Sequence, residues 1–129
     1  MIRTYGLSKT YGATAALDEV NLNVARGSIY GLVGPNGAGK TTLLGVLSGL
    51  RTATAGSVEI DTDRIAVLPD TPHFDPWLTA REVVDLARVL GTNSSRDVDQ
   101  LLELTGIADA ADRAVGGFSR GMLQRLGLA

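Results

Sequence analysis

The chain has 129 residues and a mass of 13.5 kDa, a length that fits one small globular domain. Its 44% hydrophobic content argues against disorder, and its net charge of -2, from twelve Lys and Arg against fourteen Asp and Glu, argues against a nucleic-acid partner. The sequence has no cysteine and one histidine, which excludes disulfides, thiolate metal sites and multi-histidine metal centres. No apolar run approaches the roughly 18 residues of a membrane span, so we expect a cytoplasmic domain.

The first half of the chain is predicted to form strands and one helix. Residues 20–24 alternate between apolar and polar side chains, the pattern of a half-buried strand. Residues 29–33 form a continuous apolar run that stops at a glycine, which is typical of a strand covered on both faces. From Thr41 onward, apolar residues recur at helical spacing. Two shorter apolar runs, at 58–60 and 65–68, predict further strands.

The second half is predicted to be helical. The sequence TARE at 79–82 is a capping box, in which a hydroxyl and a carboxylate each satisfy a backbone donor, and Gly91 ends the helix that it starts. Ser95 is expected to cap a second helix that stops at Gly106. Apolar residues at helical spacing then predict a last helix over 122–129, whose pattern carries no stop signal.

The segment GPNGAGKT at 34–41 carries the clearest chemistry, since it matches the pattern G-x-x-x-x-G-K-[ST]. Backbone N–H groups can converge on phosphate oxygens only where no Cβ is in the way, which explains the glycines. Lys40 supplies a positive charge, the Thr41 hydroxyl can bind Mg²⁺, and the helix that follows directs its N-terminal dipole at the same anion. The alternative is a glycine-rich turn with a solvated lysine, but the predicted strand before it and helix after it are the context of a phosphate loop.

Two further segments resemble the ATP-binding cassette family, and the chain has no Asn-Lys-x-Asp motif of the kind that reads the base in GTPases. The sequence FSRGM at 118–122 resembles the signature segment of that family. Tyr11, in SKTYG at 8–12, resembles its adenine-stacking aromatic residue. The phosphate loop and the Thr42 that follows are close to the family pattern at every position. The resemblance covers essentially the whole chain in the family's order.

The resemblance implies an α/β fold, a P-loop NTPase with an antiparallel β subdomain, a mixed or parallel core sheet and a helical subdomain. We expect residues 1–72 to form the β subdomain and phosphate-loop core, 73–117 the helical subdomain, and 118–129 the signature segment and the start of its helix. The 129 residues are then expected to be an incomplete nucleotide-binding domain that ends after the signature motif.

The resemblance also implies the residues of the site. Those expected to bind nucleotide are Tyr11, Gly34, Asn36, Gly37, Ala38, Gly39, Lys40, Thr41 and Thr42. Those expected to meet the γ-phosphate bound to the opposite subunit are Ser119, Arg120, Gly121 and Met122. Ser119 can cap the last helix, and with the Gly121 amide it offers hydrogen-bond donors to that anion. The expected metal ligands are Thr41 and Asp70.

Several positions depart from the family pattern. Arg120 and Met122 stand where the signature Leu-Ser-Gly-Gly-Gln has a glycine and a glutamine. Asp70 stands where the family has a glutamine that reaches Mg²⁺. Its carboxylate could hold the metal through water, or it could lie in an exposed loop without a metal role, and both interpretations stay open.

The function implied is that of the ATP-binding subunit of a transporter. In the family, two such subunits sandwich ATP head to tail, with Mg²⁺, at the inner face of the membrane, and a separate permease moves the solute. The acidic motif that steadies Mg²⁺ and activates water does not occur among these residues, so we expect no catalytic residue in the chain and little hydrolysis by it alone. Three alternatives remain: a non-catalytic truncated nucleotide-binding fragment, another P-loop enzyme such as a small kinase that uses Asp70 as its metal carboxylate, and a soluble member of the same family that takes no part in transport.

Overall fold

The computed structural model describes residues 1–62, 65–91 and 96–129, which divide into two compact units, 1–67 and 68–129. The first, the β unit, contains β1 (Ile2–Tyr11), β2 (Thr14–Val24), α1 (Lys40–Leu47) and β3 (Ala55–Ile60). The second, the helical unit, contains α2 (Ala80–Leu90), α3 (Val98–Leu104) and α4 (Arg120–Leu128), with short 3-10 turns at Ala108–Ala110 and Val115–Gly117. No helix within the three described ranges is long and apolar enough to cross a membrane. The subdomain boundaries that the sequence predicts after residues 72 and 117 stay predictions.

The β unit is built on a three-stranded antiparallel sheet with the strand order β2-β1-β3. The central strand β1 pairs Ile2 with Val24 on one side and with Ile60 on the other. The strands predicted at 20–24 and 58–60 are confirmed as the C-terminal parts of β2 and β3. The sequence of β1 lacks a clean alternation because register shifts along its pairing move residues from one face to the other.

A small apolar core holds α1 against this sheet. Leu7 of β1 and Leu17 of β2 pack with Leu43 and Val46 of α1, and each of the four is 7% exposed or less. Burying such a side chain contributes roughly 1.5–3 kcal/mol relative to leaving it in water. Because Leu43 lies three residues after Lys40, this core fixes where α1 begins relative to the sheet.

Two strand predictions are wrong for the described residues. Residues 29–33 adopt no strand, and Ile29 and Val33 are 103% and 94% exposed rather than covered on both faces. Residues 65–68 are likewise outside any strand, and Val67 is 51% exposed. A strand exists only where a neighbour accepts and donates its ladder hydrogen bonds, and β1, β2 and β3 pair only with one another. The described residues therefore contain the expected antiparallel sheet and helical subdomain, but no parallel core sheet.

The helical unit has a core of its own. Its buried members are Ala80, Val83, Val84, Leu102, Ile107, Ala111, Val115 and Leu126, which come from all three helices and from the turns between α3 and α4. Phe118 packs against this core from the start of the signature segment. The segment is thereby anchored at the N-terminal end of α4.

The helix boundaries follow the predicted capping chemistry except at α3. Thr79 and Glu82 form the capping box of α2, and Gly91 follows its last residue. The predicted cap Ser95 lies outside the described residues, and α3 is capped by Asp97, whose carboxylate accepts from the N–H of Asp99 at 3.0 Å. Asp is as effective an N-cap as Ser because its side chain reaches the same backbone donors.

The capping box gives a stability prediction. We expect Thr79→Ala to lower the free energy of unfolding by about 1 kcal/mol, because the N–H of Glu82 loses the hydroxyl acceptor that lies 3.2 Å away. Urea unfolding at pH 7 measures this difference, and an unchanged midpoint would contradict it.

The same box makes stability depend on pH. The backbone N–H and the hydroxyl of Thr79 donate to the carboxylate of Glu82 at 2.8 and 2.9 Å, and these bonds hold the pKa of Glu82 below its usual value. A lowered folded-state pKa stabilises the fold above the unfolded pKa, and this contribution is lost as pH falls through the folded one. Glu82→Gln should therefore weaken the acid dependence of unfolding.

Candidate functional site

The predicted phosphate loop lies on the surface of the β unit, immediately before α1. Residues 34–38 are exposed, and the loop is shaped by two glycines in the left-handed region, Gly37 with φ 86° and Gly39 with φ 82°. The N–H of Ala38 donates to the carbonyl of Pro35 at 3.3 Å and closes a turn around Asn36. A non-glycine residue rarely adopts such φ values, so the glycines at these positions set the path of the loop.

Gly39 also lets the loop approach the sheet. A Cβ at this position would lie 2.3 Å from the carbonyl oxygen of Ala16 and 3.1 Å from the Leu17 side chain. Gly39 is the N-cap residue of α1 and offers no side-chain cap. The first N–H groups of α1 therefore have no acceptor within the helix and none from the cap, which is the arrangement that suits an anion at a helix N-terminus.

Lys40 extends its ammonium group across the loop. The Nζ atom donates to the carbonyl oxygens of Gly34 and Pro35, each at 2.7 Å. A lysine ammonium has three donors, so these two bonds leave the third for a phosphate oxygen. The Thr41 hydroxyl is exposed on the first turn of α1, and Thr42 follows it half-buried.

Tyr11, at the end of β1, lies beside the same helix. Its ring is partly exposed, its hydroxyl accepts from Nη1 of Arg51 at 2.5 Å, and Nζ of Lys9 lies 5.1 Å from the ring centroid. The hydrogen bond from Arg51 lowers the pKa of Tyr11, and a hydrogen bond with Thr42 and the charge of Lys9 act in the same direction. The structure thus brings the predicted base platform and the phosphate loop to one end of α1.

The signature segment forms the start of α4. The Ser119 hydroxyl accepts from the N–H of Met122 at 3.3 Å and so caps the helix. A Cβ at Gly121 would meet nothing within 4 Å, and the Gly121 N–H belongs to the first turn. The segment therefore presents an open helix N-terminus with a hydroxyl, at which Ser119, Arg120 and Gly121 are all exposed.

Asp70 is paired with this segment. Nη2 of Arg120 donates to its carboxylate at 2.5 Å, and the side-chain amide of Gln124 donates to the carbonyl oxygens of Pro69 and Asp70. Asp70 and Arg120 both depart from the family pattern, and their charges are opposite. Among the described residues, no group of three or more His, Asp or Glu is placed to hold a metal ion. The metal role of Asp70 stays a prediction.

Two side-chain contacts of the site are not predicted by the sequence. The Asp70–Arg120 ion pair joins residues 50 positions apart, and its only sequence signal is that two unusual residues carry opposite charges. The contact of Arg51 with Tyr11 spans 40 positions and has no sequence signal, because nothing local to Arg51 indicates its partner.

Comparison with known proteins gives one consistent result. Residues 17–129 match the model of the ABC transporter family. The chain is 39% identical to the bacitracin transport ATP-binding protein BcrA of Bacillus licheniformis, over 100% of the chain and 46% of BcrA. It is 34% identical to the lantibiotic transport ATP-binding protein SrtF of Streptococcus pyogenes, over 100% of the chain and 60% of SrtF.

A solved ATP-binding subunit of an ABC transporter has the same fold. It superposes with a TM-score of 0.81 at 26% identity, over 98% of this chain and 59% of that one. The chain thus spans about half the length of the curated relatives it matches.

Proposed function

The chain belongs to the ABC transporter family, and on that premise we propose that it is the part of a transport ATPase subunit that binds ATP and presents the signature segment. The observation that carries the proposal is the geometry of residues 34–42. Two left-handed glycines, an uncapped helix N-terminus and the Lys40 ammonium all lie at one exposed loop. This combination supplies backbone donors, a helix dipole and a fixed charge to a single polyanion.

The roles of the individual residues follow from these positions. The backbone N–H groups of Gly37 and of residues 39–42 hold the triphosphate, while that of Ala38 closes the turn with Pro35. The third donor of Lys40 contacts the terminal phosphate oxygens, and Tyr11 supports the base. Mg²⁺ fits the site, since it takes oxygen ligands and is usually held by one or two protein groups together with phosphates, and the exposed Thr41 hydroxyl is such a group. When bound, Mg²⁺ neutralises charge on the phosphates. Asp70 would act on the metal through a water molecule held by its carboxylate.

The signature segment is proposed to act on a second copy of the subunit. The Ser119 hydroxyl and the first N–H groups of α4, including that of Gly121, offer donors to the γ-phosphate held by that copy. Arg120 adds a positive charge beside them, and Met122 supplies the N–H that ties Ser119 to the helix. The γ-phosphate would then join two subunits, and its loss on hydrolysis would let them separate.

Further proposals concern the transporter as a whole. Members of the family hydrolyse ATP, but we assign no residue of this chain to the activation of water, and its residues bind and position the nucleotide. The partners would be a second ATP-binding subunit and an integral membrane permease. The proposed location is the cytoplasmic face of the membrane, reached through the permease.

ATP-driven dimerisation tests the proposal and separates it from a small kinase. Asn and Asp are both good N-caps, so Ser119→Asn and Ser119→Asp should each preserve α4. Only Asp places a negative charge where the γ-phosphate of the partner would lie. We expect sedimentation with ATP and Mg²⁺ to show a dimer for the unmodified chain and for Ser119→Asn, and a monomer for Ser119→Asp. Equal dimerisation of the two variants, or a chain that binds ATP as a monomer, would contradict the transporter proposal.

A further inference from the structure

The side chain of Arg51 lies against α1, over a residue where a Cβ would occupy the same space. Its backbone N–H donates to the carbonyl oxygen of Gly45 at 2.9 Å, and its side chain then passes directly over that residue. A Cβ at position 45 would lie 2.7 Å from Cδ and 2.9 Å from Nε of Arg51. Gly45 is buried in the last turn of α1, and glycine is an unfavourable residue within a helix. The groove that it leaves is occupied by the arginine side chain.

The far end of Arg51 reaches Tyr11. Nη1 donates to the phenolic oxygen at 2.5 Å, and the guanidinium carbon lies 5.8 Å from the ring centroid. Tyr11 is 44% exposed, so packing alone does not hold its side chain in place. A hydrogen bond to the hydroxyl holds the tip of the side chain in place, and so it restrains χ1, the torsion that decides where the ring lies.

We infer that Arg51 is a positioning residue for the nucleobase: it runs through the groove at Gly45 and holds the ring of Tyr11 in the place where a base would stack. The inference rests on the proposed function, because it gives Arg51 a role in ATP binding. An aromatic platform gives more affinity for a base when its ring is ordered before the ligand arrives, because binding then costs less conformational entropy. Arg51 supplies that order, and Lys40 lies on the same helix as Gly45. The base platform and the phosphate loop are therefore both tied to α1.

Two probes separate base binding from phosphate binding. ATP carries the base and the triphosphate, whereas inorganic tripolyphosphate occupies the phosphate loop alone. By calorimetry, we expect Arg51→Met to weaken ATP binding about 5-fold or more and to leave tripolyphosphate binding unchanged. Gly45→Ala should give the same result, because its Cβ displaces Arg51 without altering it. Arg26→Met is the matched control, since Arg26 lies in the same unit, is 84% exposed and pairs with Asp61.

A second readout does not depend on affinity. Arg51→Met should raise the pKa of Tyr11, because the guanidinium no longer stabilises the phenolate. Ultraviolet titration, with Tyr11→Phe identifying the signal of this tyrosine, measures the change. In the Tyr11→Phe variant, Arg51 has no phenolic oxygen to which it can donate. The double variant Tyr11→Phe, Arg51→Met should therefore bind ATP almost as well as Tyr11→Phe alone.

The failures of the two proposals are distinguishable. If the unmodified chain binds neither ATP nor tripolyphosphate, the proposed function is wrong. If it binds both, and Arg51→Met weakens the two equally or weakens neither, the positioning role of Arg51 is wrong. Loss of ATP affinity in the Arg26→Met control would also overturn it, because the effect would then follow net charge.

Discussion

Replacing Lys40 by alanine is expected to lower the affinity for ATP by about 100-fold or more. In the structure, the ammonium donates to the carbonyls of Gly34 and Pro35 at 2.7 Å and has a third donor for a phosphate oxygen. Hydrogen bonds of charged groups contribute about 1.5–3 kcal/mol each, and every 1.4 kcal/mol is a factor of ten in affinity. The substitution removes the direct contact and the two bonds that shape the loop.

Calorimetric titration with Mg²⁺-ATP measures the effect, and Arg26→Ala provides a control that removes an equal charge from an exposed ion pair. The same variant should bind tripolyphosphate as poorly as ATP, because the lost contacts are to phosphate. Lys40→Ala with near-normal ATP affinity and an unchanged melting temperature would mean that the nucleotide is not held at residues 34–42.

Substituting alanine for Gly39 is expected to cost about 3 kcal/mol of stability, against about 1 kcal/mol for the same change at Gly37. Both glycines have φ above 80°, so both substitutions carry the strain of an L-residue in the left-handed region. The two positions differ in the room available for a Cβ. At position 37 a Cβ would meet nothing within 4 Å, whereas at position 39 it would lie 2.3 Å from the carbonyl oxygen of Ala16. That oxygen belongs to β2 and cannot move without the strand.

The pair of variants isolates the contact between loop and sheet. Urea unfolding gives the free energy of unfolding of each variant. The backbone strain that both variants share cancels in the difference between the two values. Gly39→Ala should also weaken ATP binding more than Gly37→Ala, because the start of α1 must shift away from β2. Equal losses of stability in the two variants would show that the close approach to Ala16 is not part of the native fold.

The elements that the sequence predicts correctly are those whose hydrogen bonds are local. The capping box at 79–82, the serine cap of α4 and the glycine-shaped phosphate loop all close within a few residues. Their residue types are dictated by the backbone donors that each must satisfy or expose. The same holds for family membership, which depends on motifs of five to eight consecutive residues.

The predictions that are wrong concern elements whose hydrogen bonds are made with distant parts of the chain. The run at 29–33 has the composition of a covered strand, yet Ile29 and Val33 are exposed, because a strand needs a partner that its own sequence does not specify. The alternative helix cap at Asp97 shows a smaller version of the same problem, since several polar residues precede α3 and any of them satisfies the local rule.

Local residue patterns are enough to predict the helix caps, the turns of the loop at 34–39 and the family, because each depends on residues a few positions apart. The contact of Arg51 with Tyr11 over Gly45 and the pairing of Arg120 with Asp70 are visible only in the folded chain. Such contacts join residues 40 and 50 positions apart, and the free energy that selects them comes from packing and charge in the folded chain rather than from local backbone preference.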